Sequence, residues 1–176
     1  MRNTRGLRGT VFEELINMTN DQYARKGLGI IQKIPTPITP IQVDNKKKRI
    51  TLAYFDQKST VDYIGAVQGI PVCFDAKETS LKSLPIQNIH EHQIKFMRDF
   101  DKQGGIAFLV VHFSFCKEMY FLEFQELEKH WNLSRNGGRK SIPYNAFNKE
   151  LLIENKNGFF VHYLVTLQTV LGKREY

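Results

Sequence analysis

The sequence predicts an α/β protein, a mixed β-sheet flanked by helices, and three observations predict it. Residues Ile106 to Phe115 form a near-continuous apolar run, the pattern of a central strand covered on both faces. Val61 to Val67 and Ile70 to Lys77 are strand-like stretches separated only by Gln68 and Gly69, a pair compatible with a hairpin turn. Apolar residues recur at helical spacing in Thr10 to Lys26 (Phe12, Leu15, Ile16, Tyr23), from Ile89 onward (Phe96, Met97, Phe100) and in His162 to Leu171 (Tyr163, Leu164, Leu167, Leu171). A chain of 176 residues at 41% apolar content buries one sizeable core, so residues 1–176 are expected to form a single domain.

The elements follow in order. Residues 1–9, with Arg2, Arg5 and Arg8, read as a basic arm before the first helix. Gly27 and Gly29 end that helix, and Leu28 to Ile34 then reads as a short strand. Residues 35–59 differ from their surroundings. Pro35, Pro37 and Pro40 give way to the basic run Lys46, Lys47, Lys48 and Arg49 and then to the strand-like Ile50 to Phe55, which predicts a projecting hairpin with a cationic tip. Beyond the central hairpin come a loop at Ser80 to Pro85, a helix, the apolar central strand and a further strand at Met119 to Phe124. Gln125 to Trp131 predicts a short helix, and Asn136, Gly137 and Gly138 force a loop before Arg139 and Lys140.

Lysine and arginine total 25 against 18 acidic residues, a net charge of +7 that favours an anionic partner. Cys73 and Cys116 are the two cysteines, too few for a disulfide scaffold and without metal-ligand spacing. No apolar stretch follows the N-terminal basic segment, and none approaches the roughly 18 residues of a membrane span. A cytoplasmic protein with no membrane association is therefore expected.

Chemistry concentrates at Asp62 and at Asp75-Ala76-Lys77. Side chains alternate along a strand, so Asp75 and Lys77 share one face, and hairpin pairing brings Asp62 toward them. Two ionised carboxylates at one strand edge repel unless a cation lies between them, and an oxygen-only ligand set suits Mg2+. A lysine ammonium beside such a site can orient an attacking water and offset charge developing at phosphorus, which phosphodiester hydrolysis requires. Glu13 is a fourth candidate, because the first helix can dock one end over the same strand edge. Its neighbour Glu14 points about 100° away and is expected to be solvated.

Asp62, a spacer and Asp75-x-Lys77 match the PD-(D/E)xK nuclease signature, and the wider pattern resembles the RecU family of Holliday junction resolvases. The resemblance rests on ordered segments: Arg8-Gly9 with Glu13, Asn17, Thr19 and Asn20; Pro35-Thr36-Pro37; Ala53-Tyr54-Phe55; Ser59 to Tyr63; Phe74 to Thr79; Asn88 to Ile94; and Asn136 to Ile142. It implies a restriction-endonuclease-like sheet and a homodimer that resolves four-way junction DNA in recombination and repair. It further implies an active site of Glu13, Asp62, Asp75 and Lys77 working with Mg2+ or Mn2+, with Thr60 and Gln93 as polar positions close to it. Residues 35–59 correspond to the family's stalk, which enters the centre of the junction. A nucleoid-associated location and a recombinase or branch-migration helicase as partner are implied as well. Two departures stand out. The family usually has glutamate where this chain has Asp75, and the stalk is shorter than usual, with residues after Pro143 leaving the pattern.

Two other functions compete with this reading: a related nuclease that cuts linear duplex, and a non-catalytic protein that binds junctions or modulates a recombinase. Lys46 to Arg49 are expected to contact phosphates without reading bases, with Arg5, Arg8, Arg139 and Lys140 as further contacts of that kind. His90 and His92 suggest a metal pair, but residues two apart on a helix do not face each other, so no zinc site is expected there. Phe108, Val110, Phe113 and Phe115 are assigned to core instead of a base-stacking platform.

Overall fold

In the computed structural model, which describes residues 5–55 and 60–173 with side chains from Val11 onward, the chain order is α1 (Arg5–Arg25), β1 (Ile30–Lys33), β2 (Ile38–Asp44), β3 (Arg49–Phe55), β4 (Tyr63–Val67), β5 (Ile70–Thr79), β6 (Ser83–Pro85), α2 (Glu91–Lys102), β7 (Ile106–Phe113), β8 (Glu118–Glu123), α3 (Phe124–Arg135), β9 (Ser141–Pro143), β10 (Leu152–Ile153) and α4 (Tyr163–Lys173). Six strands form one mixed sheet in the order β1-β4-β5-β7-β8-β10. Only β5 and β7 run parallel, in register from Val72↔Ile106 to Thr79↔Phe113, and the crossover between them carries α2. Every residue of β7 except His112 is buried, as its unbroken apolar run requires of a strand covered on both faces.

Alternation along β5 divides the core. Val72 and Phe74 enter one cluster with Phe12 and Ile16 of α1 and Tyr163 and Leu167 of α4. Cys73 enters the other, with Ile94 and Met97 of α2 and Leu127 and Trp131 of α3. Helices thus cover both faces, two on each, which is the predicted α/β architecture. Burial pushes the Cys73 thiol up to about 12, so it behaves as a small apolar side chain. Among the described residues no helix is long and apolar enough to cross a membrane.

The hairpin between β4 and β5 turns through Gln68 (φ 48°) and Gly69 (φ 88°), the two consecutive positive values of a type I′ turn. The predicted projecting hairpin is β2 paired with β3, a two-stranded sheet of its own. Asp44 Oδ1 accepts the backbone N–H groups of Lys46 and Lys47 at 3.0 and 3.1 Å, folding the basic tip. A register shift between Pro40 and Gln42 places the proline at a bulge, where its missing donor costs no ladder bond.

The structure departs from the sequence reading in several elements. Helix α1 begins at Arg5, so residues 5–9 are helical backbone instead of an arm ahead of the helix, and residues 1–4 lie outside the described part. Ser83–Pro85, expected as loop, pairs with Ser141–Pro143. Helix α3 runs to Arg135, past the predicted end at Trp131. The chain beyond Pro143 adds β10 at the sheet edge and the core residues Phe159, Val161 and Tyr163.

Candidate active site

Strand β4 pairs with β5 only as far as Tyr63↔Phe74, whereas β7 stays paired with β5 through Thr79. Residues 75–79 of β5 therefore leave an edge that β4 does not cover. Asp62 turns into that edge. Its Oδ2 accepts the Ala76 backbone N–H at 2.9 Å, and its carbonyl accepts the Ile34 N–H at 2.7 Å, tying it to the end of β1.

Asp75 is fully buried on the face toward α2. Gln93 Nε2 donates to its Oδ1 at 2.7 Å, and Lys77 Nζ lies 2.6 Å from its Oδ2. That Lys77 contact is an ion pair off the line of a hydrogen bond, so Oδ2 keeps a buried lone pair without an aligned donor. Gln93 Oε1 accepts the His90 backbone N–H at 3.0 Å and Lys77 Nζ at 3.5 Å, which fixes the amide with its NH2 toward Asp75. His90 and Gln93 hold the N-cap and third positions of α2, so the cap of the helix also orients the site.

Burial, and then the negative charge of Asp75, push the Asp62 carboxyl up to about 6 against the pull of the Ala76 N–H and Lys77. The donor set suits a hard divalent cation on three counts. It offers only oxygen, a neighbouring charge makes ionised Asp62 costly, and Asp75 Oδ2 lacks an aligned donor. Among the described residues no third carboxylate, histidine or cysteine converges to form a three-ligand cluster. Mg2+ held through one or two carboxylates, with water and substrate phosphate completing its shell, needs none.

Sequence reasoning brings Asp62, Asp75, Lys77 and Gln93 to one place, and the structure puts them there. Glu13 stands differently. It lies on α1 with its carboxylate paired to Lys33 of β1. Tyr63 connects the two regions: its hydroxyl donates to Asn17 Oδ1 at 3.0 Å, lies 3.4 Å from the Glu13 carbonyl, and is held in its protonated form by burial and then by the charges of Glu13, Asp62 and Asp75. Thr60 sits half-buried at a bend two residues before Asp62.

Lys46 to Arg49 occupy the exposed tip of the β2–β3 hairpin. Arg139 and Lys140 are exposed ahead of β9, where Arg139 Nε donates to Ser141 Oγ at 3.2 Å and the Lys140 carbonyl accepts the Ile86 N–H at 3.0 Å. The side chains of Arg5 and Arg8 lie outside the described part. One expectation is corrected: the rings of His90 and His92 do face each other, with centroids 5.4 Å apart and planes at 10°. The helical spacing rule fails there because His90, at the N-cap, has extended backbone (φ −97°, ψ 148°). Sequence reasoning overlooked Tyr63 and the capping role of His90. The His90-x-x-Gln93 spacing, that of a capping box, was the available signal.

The family model described as RecU, Recombination protein U, matches residues 7–169. The chain belongs to the RecU family. Relatives named Holliday junction resolvase RecU include one from Pediococcus pentosaceus, 42% identical over 149 residues (82% of this chain, 74% of the relative), and one from Geobacillus sp., 43% identical over 142 residues (78% and 71%). A third, from Streptococcus thermophilus, is 40% identical over 170 residues, 94% of this chain and 85% of its own. The RecU match thus runs past Ile142, where the pattern read from sequence stops, and takes in most of α4. Two of the α1 residues that carry the RecU resemblance join α1 to the C-terminal segment: Thr19 Oγ1 accepts the Val161 N–H at 3.2 Å, and Asn20 Oδ1 accepts the Tyr163 hydroxyl at 2.5 Å.

Proposed function

We propose that the chain is a structure-selective endodeoxyribonuclease that resolves Holliday junctions by metal-dependent phosphodiester hydrolysis in recombination and DNA repair. The observation that carries this reading is buried Asp75, held between Lys77 and Gln93, with Asp62 across the open strand edge. Asp62 and Asp75 would hold Mg2+ or Mn2+, which when bound supplies Lewis-acid polarisation of the scissile phosphate. Lys77, whose side chain keeps 16% exposure, reaches solvent and orients the attacking water while offsetting charge at phosphorus. Glu13 assists from α1 by holding a water or the cation. Gln93 keeps the Asp75 carboxylate from rotating, and Thr60 lies at the approach to Asp62.

The net charge of +7 and the tip Lys46 to Arg49 support phosphate contact within a junction, with Arg5, Arg8, Arg139 and Lys140 adding contacts that position DNA without reading sequence. The hairpin also supports a homodimer. Ile41, Val43, Ile50, Leu52, Tyr54 and Phe55 are all exposed on a two-stranded ribbon, a structure of marginal stability on its own, and a second copy would cover them. A two-fold assembly presents identical sites to two like strands. The names of the relatives support the junction as substrate, and a recombinase or branch-migration helicase as partner at the nucleoid is consistent with that role.

The test is incubation with labelled four-way junction and with linear duplex, in Mg2+ or in EDTA. Paired symmetrical cuts confined to the junction and lost in EDTA are expected. Equal cutting of duplex would instead make the protein a general nuclease, and tight junction binding without cleavage in either Mg2+ or Mn2+ would make it an architectural one.

A further inference from the structure

The stacked histidines at the start of α2 play no part in the chemistry above, yet they adjoin it. His90 is exposed, His92 is half-buried, and the backbone of His90 holds the amide that orients Asp75. Beside them stands a basic rim from a distant part of the chain. Arg135, at the end of α3, reaches Glu91 with Nη2 to Oε2 at 3.1 Å and lies over the Trp131 ring at 4.8 Å. The Lys140 carbonyl binds Ile86 at 3.0 Å, which brings Arg139 and Lys140 to the segment leading into α2.

We propose that His90, His92 and Arg135 form a phosphate track that carries one DNA strand from the Asp62–Asp75 centre to the rim of Arg139 and Lys140. This inference rests on the nuclease reading and names the path of one duplex arm. The two stacked imidazoles lie at the surface of α2, where a passing phosphate could take a ring N–H in exchange for a present contact. Arg135 is prepared for exchange: its side chain keeps 58% exposure and Glu91 keeps 81%, so their ion pair is weak and a phosphate can replace the carboxylate. The buried indole of Trp131 meanwhile lies 4.8 Å beneath the guanidinium, a cation–π contact that leaves its N–H edges available to phosphate oxygens. Glu91, released, is left to solvent. A polyanionic strand fits this chemistry because its donors come from three separate segments, the start of α2, the end of α3 and the residues before β9, instead of from one pocket.

The experiment compares wild type with His90→Asn, His92→Ala and Arg135→Ala in binding labelled four-way junction across a salt series in EDTA, followed by single-turnover cleavage in Mg2+. Asparagine at 90 keeps an N-cap side chain, so Gln93 stays in place. Arg135→Ala is expected to weaken binding and reduce the slope of log K against log salt by about one. Each histidine variant is expected to weaken binding several-fold, and His92→Arg is expected to tighten binding. Wild-type affinity and salt slope in all the weakening variants would overturn the track. If wild type cuts nothing in Mg2+ or Mn2+, the nuclease reading fails, and the binding series still decides the track by itself.

Discussion

Gln93 and Asp75, 18 residues apart in the chain, are joined by a 2.7 Å hydrogen bond from the glutamine amide to a fully buried carboxylate. The other end of the same amide is held by the His90 N–H and approached by Lys77. One side chain thus contacts both Asp75 and Lys77 on β5. Replacing Gln93 with leucine removes that donor at nearly constant volume and leaves Asp75 Oδ1 unsatisfied, a loss of about 1 to 3 kcal/mol for a buried polar group. Urea denaturation checks this, and cleavage is expected to fall with it.

Asp62 carries a different signature. Because burial and Asp75 push its carboxyl up to about 6, its ionised form opposes folding near neutral pH. Asp62→Asn keeps an acceptor for the Ala76 N–H and is expected to raise the melting temperature of the protein in EDTA while abolishing cleavage. A variant that is both less stable and active would contradict the assignment.

Lys77→Ala is expected to lower single-turnover cleavage by at least about 100-fold, the loss typical of one preorganised charge-stabilising group. Junction affinity should change far less, since Lys77 is mostly buried and paired with Asp75, leaving little of its side chain to contact DNA outside the site.

Stability should fall on the acid side through histidine. Burial, then Lys26 and Lys156, hold the His162 imidazole below its ordinary 6.5, and its Nδ1 meets the Tyr23 hydroxyl at 2.9 Å. Burial also lowers His112, against the opposing charge of Glu78. The unfolded chain gains protons near the ordinary value that the folded chain resists, so this stability is present above about 6.5 and is lost as pH falls below it. Melting temperatures between about pH 7.5 and 5.5 should drop less steeply for His162→Gln than for wild type.

Gly65 tests the pairing of β1 with β4. A Cβ there would stand 2.1 Å from the Ile30 carbonyl oxygen and 2.6 Å from Ile31 Cα, both backbone atoms of the neighbouring strand β1. Gly65→Ala is expected to cost about 3 kcal/mol or more, since β1 must move away, and calorimetry measures it.

Much of this arrangement was legible because it follows from strand periodicity and turn chemistry. The alternation that puts Asp75 and Lys77 on one face, and the Gln68-Gly69 turn that returns β4 toward β5, are local properties. What stayed hidden depends on distant partners. The two- and three-residue strands β6, β9 and β10 are too short to carry a period, and only pairing across the chain defines them. The position of Glu13 was equally hidden: a helical carboxylate can face the strand edge or a lysine on β1, and tertiary placement of Lys33 decides. The helix at His162 to Leu171 was legible, whereas residues 144–161 left no readable pattern because they contribute single apolar residues, such as Phe159 and Val161, to a core formed mainly by others.

In the proposed mechanism the Asp62 and Asp75 carboxylates share one divalent cation. Titrating Mn2+ into the protein and following free ion by its paramagnetic resonance signal measures this directly. The account predicts saturable binding in wild type that is strongly weakened in both Asp62→Asn and Asp75→Asn. Binding unchanged in either variant would contradict it.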